Sequence, residues 1–141
     1  MRRRDALKAM AVATVAMSVA NAYDETLIVN TADISVEDPA NLSDFEKKHL
    51  PQIEIKDTDE KGYSLVEVNI GQSGIIHPSD ADHWIYAIEL FADDKLIGKV
   101  SLEPVISRGF LSVRTNLKDV KTLKAISRCN LHGNFTFSVN L

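Results

Sequence analysis

Residues 64–70 read Ser-Leu-Val-Glu-Val-Asn-Ile, and residues 83–102 read HWIYAIELFADDKLIGKVSL. The first stretch alternates polar and apolar side chains, the period of a strand with one face buried. In the second, His83 to Phe91 reads as a longer strand with aromatic and branched residues on both faces. Ala92-Asp93-Asp94-Lys95 then turns the chain, and Leu96 to Leu102 returns to complete a hairpin. Phe110 to Leu117 and Asn134 to Leu141 are further strands. Thr122 to Arg128 contains a helix-compatible LKAI, but it is read as a strand leading into Cys129. Several short strands at this spacing predict an all-β chain folded as an antiparallel β-sandwich. One helical turn is expected at Ser43-Asp44-Phe45-Glu46, a capping box with Ser43 as N-cap and Glu46 reaching back. Pro51 limits how far it extends. Gly71-Gln72-Ser73-Gly74 reads as a turn, since no helix pattern follows it as a phosphate loop would require.

The N-terminus has a different character. MRRRDALK precedes the apolar, Ala-rich AMAVATVAMSVANA, and Ala20-Asn21-Ala22 supplies a small-residue cleavage site. The apolar stretch is too short for a spanning helix. Residues 1–22 are therefore read as a secretory signal, and the paired arginines point to the twin-arginine route and a periplasmic destination. Residues 23–42 are read as an extended arm and residues 43–141 as one domain. Cleavage after Ala22 would remove Arg2, Arg3, Arg4, Lys8 and Asp5, taking the formal net charge from −4 to −7. That acidity argues against nucleic acid, and against a membrane as partner once the signal is cleaved. A single cysteine excludes an internal disulfide.

The four histidines and the one cysteine are His49, His77, His83, His132 and Cys129. Imidazole suits iron, copper and zinc, and thiolate suits softer ions. His77 and His83 bracket HPSDADH, and Cys129 and His132 form C-N-L-H ahead of Gly133. A C-x-x-H pair lets two side chains turn onto one ion from a tight loop. Structural zinc wants four ligands, and five candidates overshoot that count. Blue copper wants two histidines, a cysteine and often an axial methionine, and every methionine lies in the leader. No G-x-S-x-G elbow marks a serine nucleophile.

The contexts E-K-K-H-L-P, H-P, H-W-I-Y-A-I-E-L and C-N-L-H-G resemble, in this order, the superoxide reductase family, the iron domain of desulfoferrodoxin and neelaredoxin. The resemblance runs from about Phe45 to about Phe135. It implies an immunoglobulin-like sandwich holding one mononuclear Fe2+/Fe3+ ion. By position, His49, His77, His83 and His132 would be equatorial ligands and Cys129 the axial thiolate. The family also carries a Glu and a Lys just before the first histidine, on a loop over the open iron face. Lys48 matches that lysine and is the candidate catalytic residue. Lys47 stands where the glutamate is expected, and Glu46 is displaced by one residue.

The activity so implied is one-electron reduction of superoxide to hydrogen peroxide. The thiolate would push electron density toward bound oxygen, as axial thiolates do in haem proteins. A non-catalytic periplasmic metal-binding or electron-transfer module on the same site is the alternative. No second cysteine-rich centre accompanies the site, so electrons come from outside the chain, with a basic c-type cytochrome as the expected class of donor. The sequence leaves the donor's identity and any homo-oligomer open. Near the site, the backbone N–H groups of Asn130 to His132 are expected to bond the Cys129 sulfur, Pro78 to fix the His77 loop, Trp84 to be core, and Glu89 to be a structural or surface charge.

The export reading is testable directly. Replacing Arg3 and Arg4 with Lys should trap the precursor in the cytoplasm, as read by cell fractionation. Unchanged export would assign the chain to the general secretory route instead.

Overall fold

The computed structural model describes residues 23–141, so the expected signal segment lies outside the described residues. The strands are β1 (Asp33–Ile34), β2 (Pro51–Thr58), β3 (Ser64–Ile70), β4 (Ile85–Ala92), β5 (Lys95–Ser101), β6 (Phe110–Thr115), β7 (Thr122–Cys129) and β8 (Gly133–Asn140). One sheet runs β1-β8-β7-β4-β5 and the other β2-β3-β6. All pairings are antiparallel except the short parallel contact of β1 with β8. The result is the sandwich expected from the alternating strands.

Strand parity builds the core. In β3 every second residue is buried, and Val66, Val68 and Ile70 point inward. β7 has the same alternation, with Leu123, Ala125, Ser127 and Cys129 inside. They meet Ile85, Ile88 and Leu90 of β4. The period of two therefore carries Cys129 inward as a continuation of an apolar face. Trp84 is fully buried, as expected, and its Nε1–H donates to the Leu102 carbonyl at 2.8 Å. Glu89 has a defined partner: the Arg128 Nε donates to it at 2.7 Å.

The β4–β5 hairpin turns at Asp93 and Asp94, both at positive φ (45° and 65°). Ala92 pairs with Lys95 across this two-residue loop, and left-handed backbone at both loop positions matches the right-handed twist of the strands.

Three elements differ from expectation. β2 was not foreseen, because Pro51 opens it and Glu54, Lys56 and Asp57 dilute its apolar pattern. Pro at the first strand position is harmless, and the strand lies at a sheet edge. The helical turn is a six-residue helix, α1 (Asp44–His49). The Ser43 capping box is present as expected, and the helix runs on until Leu50 adopts an extended backbone ahead of Pro51. The arm is also more structured than a lead-in. It contains a 3-10 turn at Glu25–Leu27 and β1, and its Tyr23, Leu27 and Ile28 pack on Trp84, Tyr86 and Ala87.

The Gly71–Gly74 turn links β3 to the segment bearing His77. Gly71 sits at φ +115°, and a Cβ there would lie 1.7 Å from the Ile75 carbonyl oxygen. Only glycine fits without moving the backbone. Gly71→Ala should lower unfolding free energy by about 1–3 kcal/mol, measured by urea denaturation of the metal-free protein. An unchanged midpoint would show that this turn relaxes freely.

Candidate metal centre

α1 ends in His49, and the helix aims the ring. The His49 Nδ1–H donates to the Phe45 carbonyl, four residues back, at 2.7 Å. A carbonyl only accepts, so Nδ1 carries the hydrogen and Nε2 keeps its lone pair. His77 is fixed the same way, its Nδ1–H donating to the Pro78 carbonyl at 2.7 Å. The Pro78 loop therefore does orient His77, through its carbonyl oxygen. His83 stands just ahead of β4, where an isolated bridge pairs Asp80 with His83. Cys129 ends β7, and His132 closes the three-residue loop before β8, where Cys129 pairs with Gly133. Gly133 is at φ +92°, and a Cβ there would sit 2.4 Å from the Ala32 oxygen, so the loop can close against the arm only with glycine.

These segments converge. The ring centroids of His49 and His77 are 4.8 Å apart, His77 and His83 4.7 Å, His83 and His132 4.9 Å, and His132 and His49 4.9 Å. Each neighbouring pair is nearly perpendicular, and the His49–His83 diagonal is 6.2 Å. The four imidazoles thus form a closed square. The His49 Nε2 faces the His132 Nδ1 at 3.1 Å, and the Cys129 Sγ lies 3.6 Å from that same Nδ1. Ligand atoms of His49, His83, Cys129 and His132 all lie within 4.8 Å of one another. His77 falls outside that tightest group, but its ring completes the square.

The donor atoms fit a cation. The Nε2 atoms of His77 and His83 are buried and have no hydrogen-bond partner among the described residues. Burying a polar atom unmatched costs about 1–3 kcal/mol, and a metal ion offsets that cost for several lone pairs at once. Burial holds His49 down to a pKa of about 4 and His77 to about 3, and it lowers His83 as well. All three therefore present neutral imidazoles at neutral pH. Burial pushes the Cys129 thiol up, while the backbone N–H groups of Leu131 and His132 pull the other way. The sulfur would need a cation beside it to ionise at neutral pH. Asn130 does not join those donors, because its N–H goes to the Trp84 carbonyl at 3.2 Å.

The lysines and Glu46 separate. The half-buried Lys48 disfavours protonation of both His49 and His83, so its charge acts on the imidazole square. The Glu46 Oε1 accepts the Ser43 N–H at 3.0 Å and is committed to the cap. Two side chains about the site, those of Phe135 and Asn130, are not marked by the sequence. Phe135, fully buried, stacks on the His49 ring at 4.8 Å. Asn130 is 1 % exposed and uses its side chain fully. Neither carries a local signal, since an aromatic in a strand and an amide in a loop are ordinary.

The desulfoferrodoxin family model matches residues 41–137. A Methanocaldococcus jannaschii protein bearing a provisional superoxide reductase name is 39% identical over 97 residues, covering 64% of this chain and 79% of that one. Among solved structures, a variant of the neelaredoxin-type superoxide reductase of Ignicoccus hospitalis matches with TM-score 0.56 and 30% identity, over 67% of this chain and 80% of that one. The one-iron superoxide reductase of Giardia intestinalis matches with TM-score 0.58 and 24% identity, over 67% of this chain and 99% of that one, which shows the shared fold.

The depressed histidines set a pH dependence for the metal-free protein. Unfolding restores the ordinary value of 6.5, so the unfolded chain binds protons that folded His49 and His77 refuse until about pH 4 and about pH 3. Stability from neutral burial is complete above pH 6.5 and erodes as pH falls toward those values. Each group should contribute a slope of up to about 1.4 kcal/mol per pH unit in that window. Denaturation of metal-free protein from pH 7 to pH 4.5 measures it, and His77→Gln should flatten the slope. An equal slope in that variant would remove His77 as a cause.

Proposed function

The chain belongs to the desulfoferrodoxin family, and from that premise we propose that it reduces superoxide to hydrogen peroxide at one iron held by His49, His77, His83, His132 and Cys129. The observation that carries the reading is the closed square of imidazoles with the Cys129 sulfur 3.6 Å from one of its nitrogens. The five residues would hold a ferrous ion whose chemistry there would be one-electron donation, with the Cys129 thiolate raising its electron density and the two protons of the peroxide coming from solvent.

The chain's own residues do the rest. The Phe45 and Pro78 carbonyls hold two imidazoles in the tautomer that keeps Nε2 free. The N–H groups of Leu131 and His132 soften the charge on the sulfur and tune its donation. Lys48 places a positive charge against the square, which draws in an anionic substrate. With Lys47 in the family's glutamate position and Glu46 bound at the helix cap, α1 brings two adjacent ammonium groups toward its C-terminal end. We further propose export by the twin-arginine route with iron loaded before translocation, and a c-type cytochrome as electron donor, on the strength of the leader's arginines and the acidic balance of residues 23–141.

Purified protein should carry about one iron per chain, with a thiolate-to-iron band on oxidation. Rapid mixing of the ferrous protein with superoxide should bring that band up in a bimolecular step. Lys48→Ala should slow the step roughly tenfold, less so at high salt, with iron retained. Ferrous protein that superoxide leaves unoxidised would overturn the reading.

A further inference from the structure

His83 and Cys129 come from different hairpins, and one side chain spans them. The Asn130 Oδ1 accepts the Trp84 N–H at 2.9 Å, and its Nδ2 donates to the Asp82 carbonyl at 2.8 Å. Those are the two peptide groups on either side of His83. The second Nδ2 hydrogen goes to the Leu27 carbonyl at 3.1 Å. The Asn130 backbone adds its N–H to the Trp84 carbonyl at 3.2 Å, and its own carbonyl accepts the Val29 and Asn30 N–H groups at 2.9 and 3.2 Å.

A carboxamide is the side chain this place requires. It offers two donors and an acceptor on one planar group, and here all are engaged in a buried position. An aspartate at neutral pH would turn two carbonyl-facing donors into a bare oxygen. A serine is short and has one donor. Because Asn130 directly follows Cys129, fixing it fixes the strand end that carries the sulfur.

We propose that Asn130 is a positioning residue of the metal centre, a staple that holds His83 against the Cys129 sulfur and ties both to the N-terminal arm. The proposal rests on the iron-centre reading above and adds to it a second layer that orients the ligands. Leu27, Val29 and Asn30 lie before the matched residues 41–137, so part of the clamp is contributed from outside the family region.

The test compares Asn130→Asp and Asn130→Ala with Asn134→Ala in the full chain. The Asn134 Nδ2 also anchors the arm, donating to the Thr31 carbonyl at 3.1 Å and the Asp33 carboxylate at 3.0 Å, but its bonds join the arm to β8 instead of to His83. All three variants should melt lower. The Asn130 variants alone should displace the ferric thiolate band and speed iron loss to a chelator by about tenfold or more. Equal effects from Asn134→Ala, or an unmoved band and release rate in the Asn130 variants, would overturn the staple. If neither Asn130 variant folds, amide exchange of metal-free wild type decides, with Trp84 N–H expected among the slowest and loop-like exchange refuting the proposal. Wild type that takes up no iron refutes the iron reading instead, and the exchange measurement then judges the staple on its own.

Discussion

Buried imidazole nitrogens with no hydrogen-bond partner organise this molecule. Four rings edge against one another in a closed square, and the Nε2 atoms of His77 and His83 have no hydrogen-bond partner among the described residues. Desolvation keeps His49, His77 and His83 neutral and keeps the adjacent thiol protonated until a cation arrives. Such an arrangement is unfavourable empty and favourable filled. The sandwich must be stable enough to hold it open, and its turns must be shaped to deliver it.

The delivery follows from strand geometry. Leu123, Ala125, Ser127 and Cys129 share the inner face of β7, so the sulfur is seated by the same alternation that builds the core. Tight turns place the other ligands: Gly71 lets β3 fold back toward His77, and Gly133 lets the chain turn after His132 beneath the arm. The α1 helix is fixed to the sandwich at its end, where the buried Ser127 hydroxyl donates to the His49 carbonyl. His49 is clamped from both sides, by its own helix through the Phe45 carbonyl and by the Phe135 ring. Core packing and ligand placement are thus one set of contacts. A substitution that loosens the core near β7 or β8 should loosen the metal centre with it.

The lysine pair shows how charge is layered on that frame. Glu46 is drawn into the Ser43 cap, where a carboxylate also meets the positive end of the helix. That leaves Lys47 and Lys48 as the charged groups of the last turn, with His49 neutral beside them. At His83 the Lys48 charge acts together with the carboxylates of Asp80 and Asp82, which act with the opposite sign. Attraction of a small anion depends on the balance of these nearby charges, because more distant ones are screened beyond about 10 Å.

Sequence periodicity by itself determined that the chain is built of strands. Ser64–Ile70 alternates so regularly that its boundaries are those of β3, and Asp93-Asp94 is the turn that its residue types suit. The Ser43–Glu46 cap was equally legible, because capping is a local interaction between residues three apart. The identity of the candidate donors was legible too, since few side chains bind such metals. β2 was not, because Pro51 and its charged residues hide a strand that exists through pairing with β3. The sulfur donors Leu131 and His132 fall within the expected run Asn130 to His132, whereas the perpendicular packing of the imidazole rings and the span of Asn130 from Leu27 to Asp82 were decided only by tertiary structure. The reason is physical: a hydrogen bond between residues 48 or 103 positions apart leaves no trace in local pattern. It forms only when the sandwich has brought its loops to one end.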